Sequence, residues 1–143
     1  MFKSVLLTID LNHEPSWSKA LPQAIELVRA SKGILHLLFV EPDYGTPMVE
    51  GYFPADFEKH ALERASAAMD ALVKEHVPDD IAYKEHLAVG NLHTEVLKAI
   101  DQTGCDLVVM ASHSPDRVRE FLVGSKADRV VRRSPVSVLV VRE

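Results

Sequence analysis

Residues 34–40 read Ile-Leu-His-Leu-Leu-Phe-Val, a short run with one polar side chain. Strands of a parallel sheet are buried on both faces, so they show near-continuous apolar runs rather than strict alternation. Four other segments have this character: residues 2–9, 81–89, 105–111 and 137–142. The pattern therefore predicts five buried strands.

The intervals between these runs carry apolar residues at helical spacing. Ser16 is a candidate N-cap for the first helix, and Gly33 is a candidate stop. The predicted helices span residues 16–32, 54–76 and 92–103, with a short fourth helix from Gly124-Ser125. This alternation predicts an α/β fold, a doubly wound, Rossmann-like, five-stranded parallel sheet with helices on both faces. Because no repeat or linker interrupts it, residues 1–143 are interpreted as a single domain.

Charge and composition narrow the class of protein. A formal net charge of −5 argues against a dedicated nucleic-acid-binding protein. Residues 116–133 nevertheless hold six basic and three acidic side chains, which suits either a solvated helix face or attraction of a phosphorylated small molecule.

The lone Cys105 excludes an internal disulfide and is interpreted as a core residue. No segment approaches the about 20 apolar residues of a membrane span, and no signal peptide is recognised. We expect a cytoplasmic protein without a membrane partner.

Motifs for catalysis are missing from the sequence. The seven histidines lack HExxH spacing, and neither a GxSxG elbow nor a Walker loop occurs, so no catalytic residue is assigned. Glu85 and His86 are neighbours that point apart on a strand. The acidic residues of the second helix are interpreted as a solvated face: Glu58, Glu63, Asp70 and Glu75.

The position of a ligand site follows from the predicted sheet. In open α/β sheets, ligands bind beyond the carboxyl ends of the strands, where the strand order reverses. The residues expected at those ends include Asp10, Val40, Val89-Gly90 and the segment 110–114. A binding site should be sought among them.

The segment from Val108 to Arg142 resembles the C-terminal signature of universal stress proteins. In that family the fourth strand leads to a glycine, two residues, a second glycine, nine residues, and then Gly-Ser or Gly-Thr. Here the same spacing reads Ala111, Ser112-His113, Ser114, nine residues and Gly124-Ser125. Both early glycines are replaced, as in the similar F- and G-type bacterial subgroup, which still binds adenine nucleotides.

The resemblance implies an adenine-nucleotide pocket, with ATP or a related nucleotide and Mg²⁺ as ligands. Asp10 would contact ribose or Mg²⁺, or alternatively cap the following turn. The backbone of Val40 would hydrogen-bond the adenine edge. Gly124-Ser125 would bind a phosphate at the start of a helix. Alternatively, Ser125 is only the N-cap of that helix. For His113 a structural or exposed role stays open beside ligand contact, and Arg117 is either a phosphate contact or an ordinary loop arginine. The full predicted pocket is Thr8, Ile9, Asp10, Val40, Met110, Ala111, Ser112, His113, Ser114, Arg117, Gly124, Ser125, Ser137 and Val138.

Three functions are compatible with these residues. The resemblance implies an ATP-binding regulatory protein of the stress response, with at most slow ATP hydrolysis or self-modification. The alternative is a nucleotide-free interaction module of the same fold, which the replaced glycines Ala111 and Ser114 motivate. A nucleotidyl-transferring or hydrolytic enzyme would need a dedicated motif that the sequence lacks. A homodimer is expected through the exposed edge strand Ser137–Arg142, which is also the family's usual interface.

Overall fold

The computed structural model describes residues 1–42, 57–112 and 125–143. Five strands form one parallel sheet in the order β3-β2-β1-β4-β5. Their bounds are β1 Ser4–Thr8, β2 Ile34–Pro42, β3 Ala82–Gly90, β4 Leu107–Ser112 and β5 Ser137–Arg142. The predicted five-stranded parallel α/β sheet is confirmed, and the order of strands reverses between β1 and β4.

Helices cover both faces of the sheet. Their bounds are α1 Ala20–Ser31, α2 Phe57–His76, α3 Leu92–Thr103 and α4 Ser125–Arg133. Apolar side chains of α1 and α2 form one buried cluster with Val5, Leu7 and Leu37. Those of α3 and α4 form a second cluster with Leu6 and Val108. Because alternate residues of each strand face opposite sides of the sheet, every central strand contributes side chains to both clusters.

The start of α1 differs from the prediction. Ser16 does not cap this helix, because it closes a short 3₁₀ turn, Glu14–Ser16, and the α-helix begins later at Ala20. Pro15 falls inside that turn, where its fixed φ is tolerated. The residues between β1 and α1 are therefore a longer connection than expected.

The end of α1 uses two residues in succession. Lys32, and not the expected Gly33, adopts the left-handed conformation that terminates the helix, with φ of 55°. Gly33 is required for a different reason, since a Cβ built there would lie 2.1 Å from the backbone oxygen of Lys3. The chain thus passes from α1 into β2 directly against the residue that precedes β1.

Smaller differences concern strand boundaries. The third and fourth strands begin later than predicted, so Cys105 stands just before β4 rather than inside it. Its side chain is buried among apolar residues of the α3 and α4 face, which confirms its assignment to the core. In the described ranges of the chain, no helix combines the length and the apolar character that crossing a bilayer requires.

Candidate functional site

Three residues lie at one level on adjacent strands where the strand order reverses. The register pairs Thr8 with Leu38 and Leu7 with Val109. Asp10 is two residues beyond Thr8, Val40 is two beyond Leu38, and Ser112 ends β4 at the matching height. The carboxyl edge of β2, β1 and β4 therefore presents Val40, Asp10 and Ser112 side by side.

The backbone of Asp10 is fixed by the hydroxyl of Ser16. The Asp10 N–H donates to Ser16 Oγ at 2.9 Å, and that hydroxyl donates back to the Asp10 carbonyl at 3.1 Å. The Asp10 carboxylate also accepts the backbone N–H of Asn12, with Oδ1 at 3.0 Å. The turn-capping role considered for Asp10 is thus observed, and it engages one carboxylate oxygen.

The second carboxylate oxygen of Asp10 is available for a ligand. The Asp10 side chain is exposed, and within the described part of the chain Oδ2 accepts no hydrogen bond. Turn capping and ligand contact are therefore compatible, since different oxygens serve them. Sequence reasoning missed Asn12 and Ser16 as supports of Asp10; the Asp-x-Asn spacing of an Asx turn could have indicated the first.

The predicted residues just before the strand ends are mostly buried. Ile9 and Met110 are core residues, Thr8 is 9% exposed, and Ala111 is partly exposed. Ser112 is 4% exposed although its side chain is polar. These residues, Ser112 included, form the floor below the edge, so direct ligand contact is most feasible at the exposed Asp10 and the partly exposed Val40 and Ala111.

Val40 lies beside Asp10 on the side of β2. Its side chain is half-buried and packs on the cluster formed with α3 and α4. It pairs in register with Ala88 of β3, which packs on the same cluster. The apolar surface next to Asp10 is therefore built from two adjacent strands.

Ser125 is the first residue of α4 and is exposed. Ala127 and Val130 anchor this helix in the cluster that also contains Met110. A helix start offers unpaired backbone N–H groups and a favourable dipole to an anion. Of the predicted phosphate-binding pair Gly124-Ser125, Ser125 lies within the described residues, at the start of an anchored helix.

Ser137 and Val138 are placed away from the other predicted pocket residues. They begin β5 and pair in register with Leu107 and Val108, at the amino end of β4. Ser112 lies at the carboxyl end of the same strand, about 15 Å away at about 3.3 Å per residue. Their inclusion in the pocket is therefore corrected, because a parallel strand cannot bring its first residues to the carboxyl edge.

Four predicted contacts lie outside the described residues: His113, Ser114, Arg117 and Gly124. They belong to the segment that joins Ser112 to Ser125, the two described ends of the predicted phosphate loop. Ser112 is the last residue of β4, and Ser125 is the first residue of α4.

The fit of a magnesium ion rests on one carboxylate. Within residues 1–42, 57–112 and 125–143, no three histidine, cysteine or acidic side chains converge to hold a metal. Mg²⁺ commonly binds through one or two carboxylates, together with water and substrate phosphates. Asp10 fits that requirement only as a partner to a nucleotide's phosphates, and not as part of a protein-made metal site.

The chain resembles known proteins over nearly its whole length. The model of the universal stress protein family matches residues 1–142. Universal stress protein G from Escherichia coli O157:H7 is 30% identical over 145 residues, covering 99% of this chain and 100% of the relative. The chain belongs to the universal stress protein family. Universal stress protein MJ0577 of Methanocaldococcus jannaschii is 30% identical over a shorter stretch, 63% of this chain.

Solved structures of universal stress proteins share the fold. The structure of MJ0577 superposes with a TM-score of 0.74 at 28% identity, covering 100% of this chain and 97% of that one. A universal stress protein crystallised in complex with cAMP has a TM-score of 0.63 at 23% identity, covering 99% and 97% of the two chains. The five-stranded sheet described above is thus the fold of the family.

Proposed function

We propose that this universal stress protein binds an adenine nucleotide, ATP with Mg²⁺, at the carboxyl edge of β2, β1 and β4. The single observation that carries the proposal is the alignment of Val40, Asp10 and Ser112 at one level, where the strand order reverses. Ligands of open α/β sheets bind at this position. A structure of the same fold holds cAMP, so the fold accommodates an adenine nucleotide.

The chemistry of the edge supports each part of such a ligand. Asp10 Oδ2 can accept a ribose hydroxyl or help to hold Mg²⁺, while Oδ1 keeps the turn closed. Val40 ends the apolar surface on which an adenine ring would lie, and its backbone would read the adenine edge. The phosphates would extend toward Ser125 at the start of α4.

A regulatory role fits the residues that are described at this edge. Phosphoryl transfer requires a positioned base or water-orienting residue together with electrostatic clamps on the phosphates. The described edge offers one exposed carboxylate, which suits binding better than rapid turnover. We propose that residues 1–143 act as one cytoplasmic domain whose nucleotide occupancy regulates partners in the stress response.

Isothermal titration calorimetry with MgATP tests the pocket most directly. Asp10→Asn is the informative variant, because the amide oxygen can still cap the turn while the negative charge is lost. We expect at least about tenfold weaker binding for Asp10→Asn than for the unmodified protein, which corresponds to about 1.4 kcal/mol. The matched control is Asp101→Asn, an exposed aspartate near the end of α3, which should bind as the unmodified protein does.

Two results would overturn the proposal. Absence of binding by the unmodified protein with Mg²⁺ present would exclude the nucleotide pocket. Equal affinities for Asp10→Asn and Asp101→Asn would remove Asp10 from it.

The alternative of a nucleotide-free interaction module is motivated by Ala111 and Ser114, which replace the two motif glycines. The ultraviolet spectrum of the purified protein distinguishes the two functions, since bound adenine raises the ratio of absorbance at 260 nm to that at 280 nm. A protein-only spectrum together with no uptake of added ATP would favour the module. Mass spectrometry of any copurified small molecule then identifies the adenylate.

A homodimer through β5 is the second part of the proposal. β5 ends the sheet order opposite β3, and Val138, Leu139 and Val140 are half-buried there. Val138 and Leu139 pack against the two core clusters, whereas Val140 belongs to neither. An apolar strand at a sheet edge is commonly protected by pairing with another copy.

Sedimentation equilibrium of Val140→Glu tests this interface. We expect a dimer for the unmodified protein at micromolar concentration and a monomer for the variant. Val131→Glu is the matched control, because Val131 is 45% exposed on α4 and lies off the edge. A monomeric unmodified protein, or a dimeric Val140→Glu, would contradict the interface.

A further inference from the structure

Two histidines on neighbouring strands form a hydrogen-bonded pair away from the carboxyl edge of the sheet. His36 Nδ1 and His86 Nε2 are 2.8 Å apart, with ring centroids at 5.0 Å and ring planes inclined at 33°. The register pairs His36 with Lys84 and Leu38 with His86, so the rings are diagonal neighbours on one face of the sheet. His36 is 5% exposed, and His86 is half-buried.

The surroundings of the pair provide no compensating anion among the described residues. On its own face, Leu6 of β1 is level with His36 on one side, and Lys84 is level on the other. The covering helix α3 turns Val96, Ala99 and Ile100 inward.

The remaining titratable groups near these elements are accounted for separately. Lys98 and Asp101 of α3 are exposed, and Glu95 pairs with Lys98 at 3.3 Å. His93 is partly exposed in the first turn of α3. Glu85 of β3 lies on the opposite face of the sheet, where it meets Asp70 of α2.

Proton uptake changes the bond between the rings in two steps. In the neutral pair one facing nitrogen carries a proton and the other accepts it. A first added proton goes to an outward nitrogen and creates a buried cation, although the bond can survive. A second proton makes both facing nitrogens donors, so the rings must separate. Burial lowers the pKa of His36 and of His86, and the nearby Lys84 charge acts in the same direction.

We propose that the His36–His86 pair is an acid-operated clasp that helps to hold β3 to β2 while the rings share a proton and releases this edge when the pair takes up its second proton. β3 stands at one end of the sheet order, so it is secured laterally by β2 alone within the described chain. Release would loosen β3 along its length, including Ala88 beside Val40. The clasp does not depend on whether a nucleotide binds.

Nitrogen NMR of the imidazole rings tests the pair itself in the unmodified protein. We expect His36 and His86 to titrate below the ordinary histidine pKa of about 6.5 in coupled steps, with one facing proton shared at neutral pH. Independent titration of both rings at the ordinary pKa would overturn the clasp.

Hydrogen exchange tests the release of the strand. After correction for the intrinsic pH dependence, the β3 amides should exchange at least about fivefold faster at pH 5 than at pH 7. The double variant His36→Leu/His86→Leu should lose this acceleration, and His60→Gln should keep it. Equal acceleration in the double variant would overturn the proposal, and if that variant does not fold, the titration decides alone.

Addition of one equivalent of Zn²⁺ is a further test of the pair. The clasp predicts no shift of the two rings beyond that of His60. Selective loss of the shared proton on zinc addition would show a two-imidazole metal site instead and would overturn the proposal.

Discussion

Asp106 joins the first strand to the start of the fourth through the backbone N–H of Ser4. Its carboxylate accepts the N–H groups of Ser4 and Lys3 at 3.1 Å each, and its own N–H donates to the Ser4 carbonyl at 2.8 Å. Partial burial raises the pKa of Asp106, but the backbone N–H donors, those of Lys3 and Ser4 first, together with the N-terminal charge hold the pKa below its usual value. The central pair of strands is thus fastened at its amino end by one ionised side chain.

Asp106→Ala should destabilise the fold, because two backbone N–H groups at the sheet end lose their acceptor. We expect a loss of about 1–2 kcal/mol in the free energy of unfolding, measured in urea at neutral pH. Since the folded pKa is lowered, this contribution is present at neutral pH and disappears as the pH falls below 3.8 through the folded value. Asp101→Ala is the control, and an equal loss in both variants would contradict the assignment.

The carboxyl group of Glu85 in β3 lies near that of Asp70 in α2. Burial, together with the neighbouring Asp70 carboxyl, raises the pKa of Glu85 to about 7. The folded state therefore binds more protons than the unfolded state between the ordinary value of 4.5 and about 7, and stability decreases as the pH rises through that window.

Glu85→Gln should remove this loss, because the amide can donate to Asp70 without a titrating proton. After allowance for partial solvent exposure, we expect a gain of about 1 kcal/mol at pH 8 and little change at pH 5. Glu63→Gln, at an exposed position of α2, should show no such pH-dependent difference. A gain of equal size at both pH values would show that the carboxyl pair is not the cause.

Lys32 and Gly33 should respond in opposite directions to small substitutions. Lys32→Gly should stabilise the protein by about 0.5–1 kcal/mol, since glycine adopts the left-handed conformation without strain. Gly33→Ala should cost more than about 2 kcal/mol, because its Cβ would meet backbone and not a movable side chain. Thermal unfolding measures both.

Gly104→Ala separates the two causes. Gly104 has φ of 65° but nothing within 4 Å of a built Cβ, so it carries the conformational cost without the clash. We expect an intermediate loss of about 1 kcal/mol. A loss as large as that of Gly33→Ala would mean that backbone conformation alone explains both sites.

The layered architecture was predictable because a strand that is buried on both faces is a near-continuous apolar run in the sequence. The run that contains Val108 and Val109 predicts a central strand regardless of its partners, and β5 was predicted with its observed bounds. Asp10 could be placed at a strand end for the same reason. Glu85 and His86 do point to opposite faces, as the strand period requires.

Features that depend on register could not be predicted. Asp70 is exposed, as its assignment to a solvated helix face predicts, but its proximity to Glu85 depends on how α2 lies across β3. The bond between His36 and His86 needs the alignment of β2 and β3. The roles of Ser16 and Lys32 depend on loop geometry. Ser137 and Val138 were assigned to the pocket as if they lay at the end of β5, whereas they begin it.

The neighbouring positions of β1 and β4 also constrain how the chain acquires its structure during synthesis. Ser4 and Asp106 are 102 residues apart in sequence, although they are bonded at one end of the sheet. On the ribosome, β1, β2 and β3 can pair early. The edge of β1 that pairs with β4 stays exposed until β4 emerges. Closing so long a loop is slow, and exposed edges invite aggregation. The carboxyl edge that β1 and β4 share is therefore completed late, after most of the chain has been synthesised.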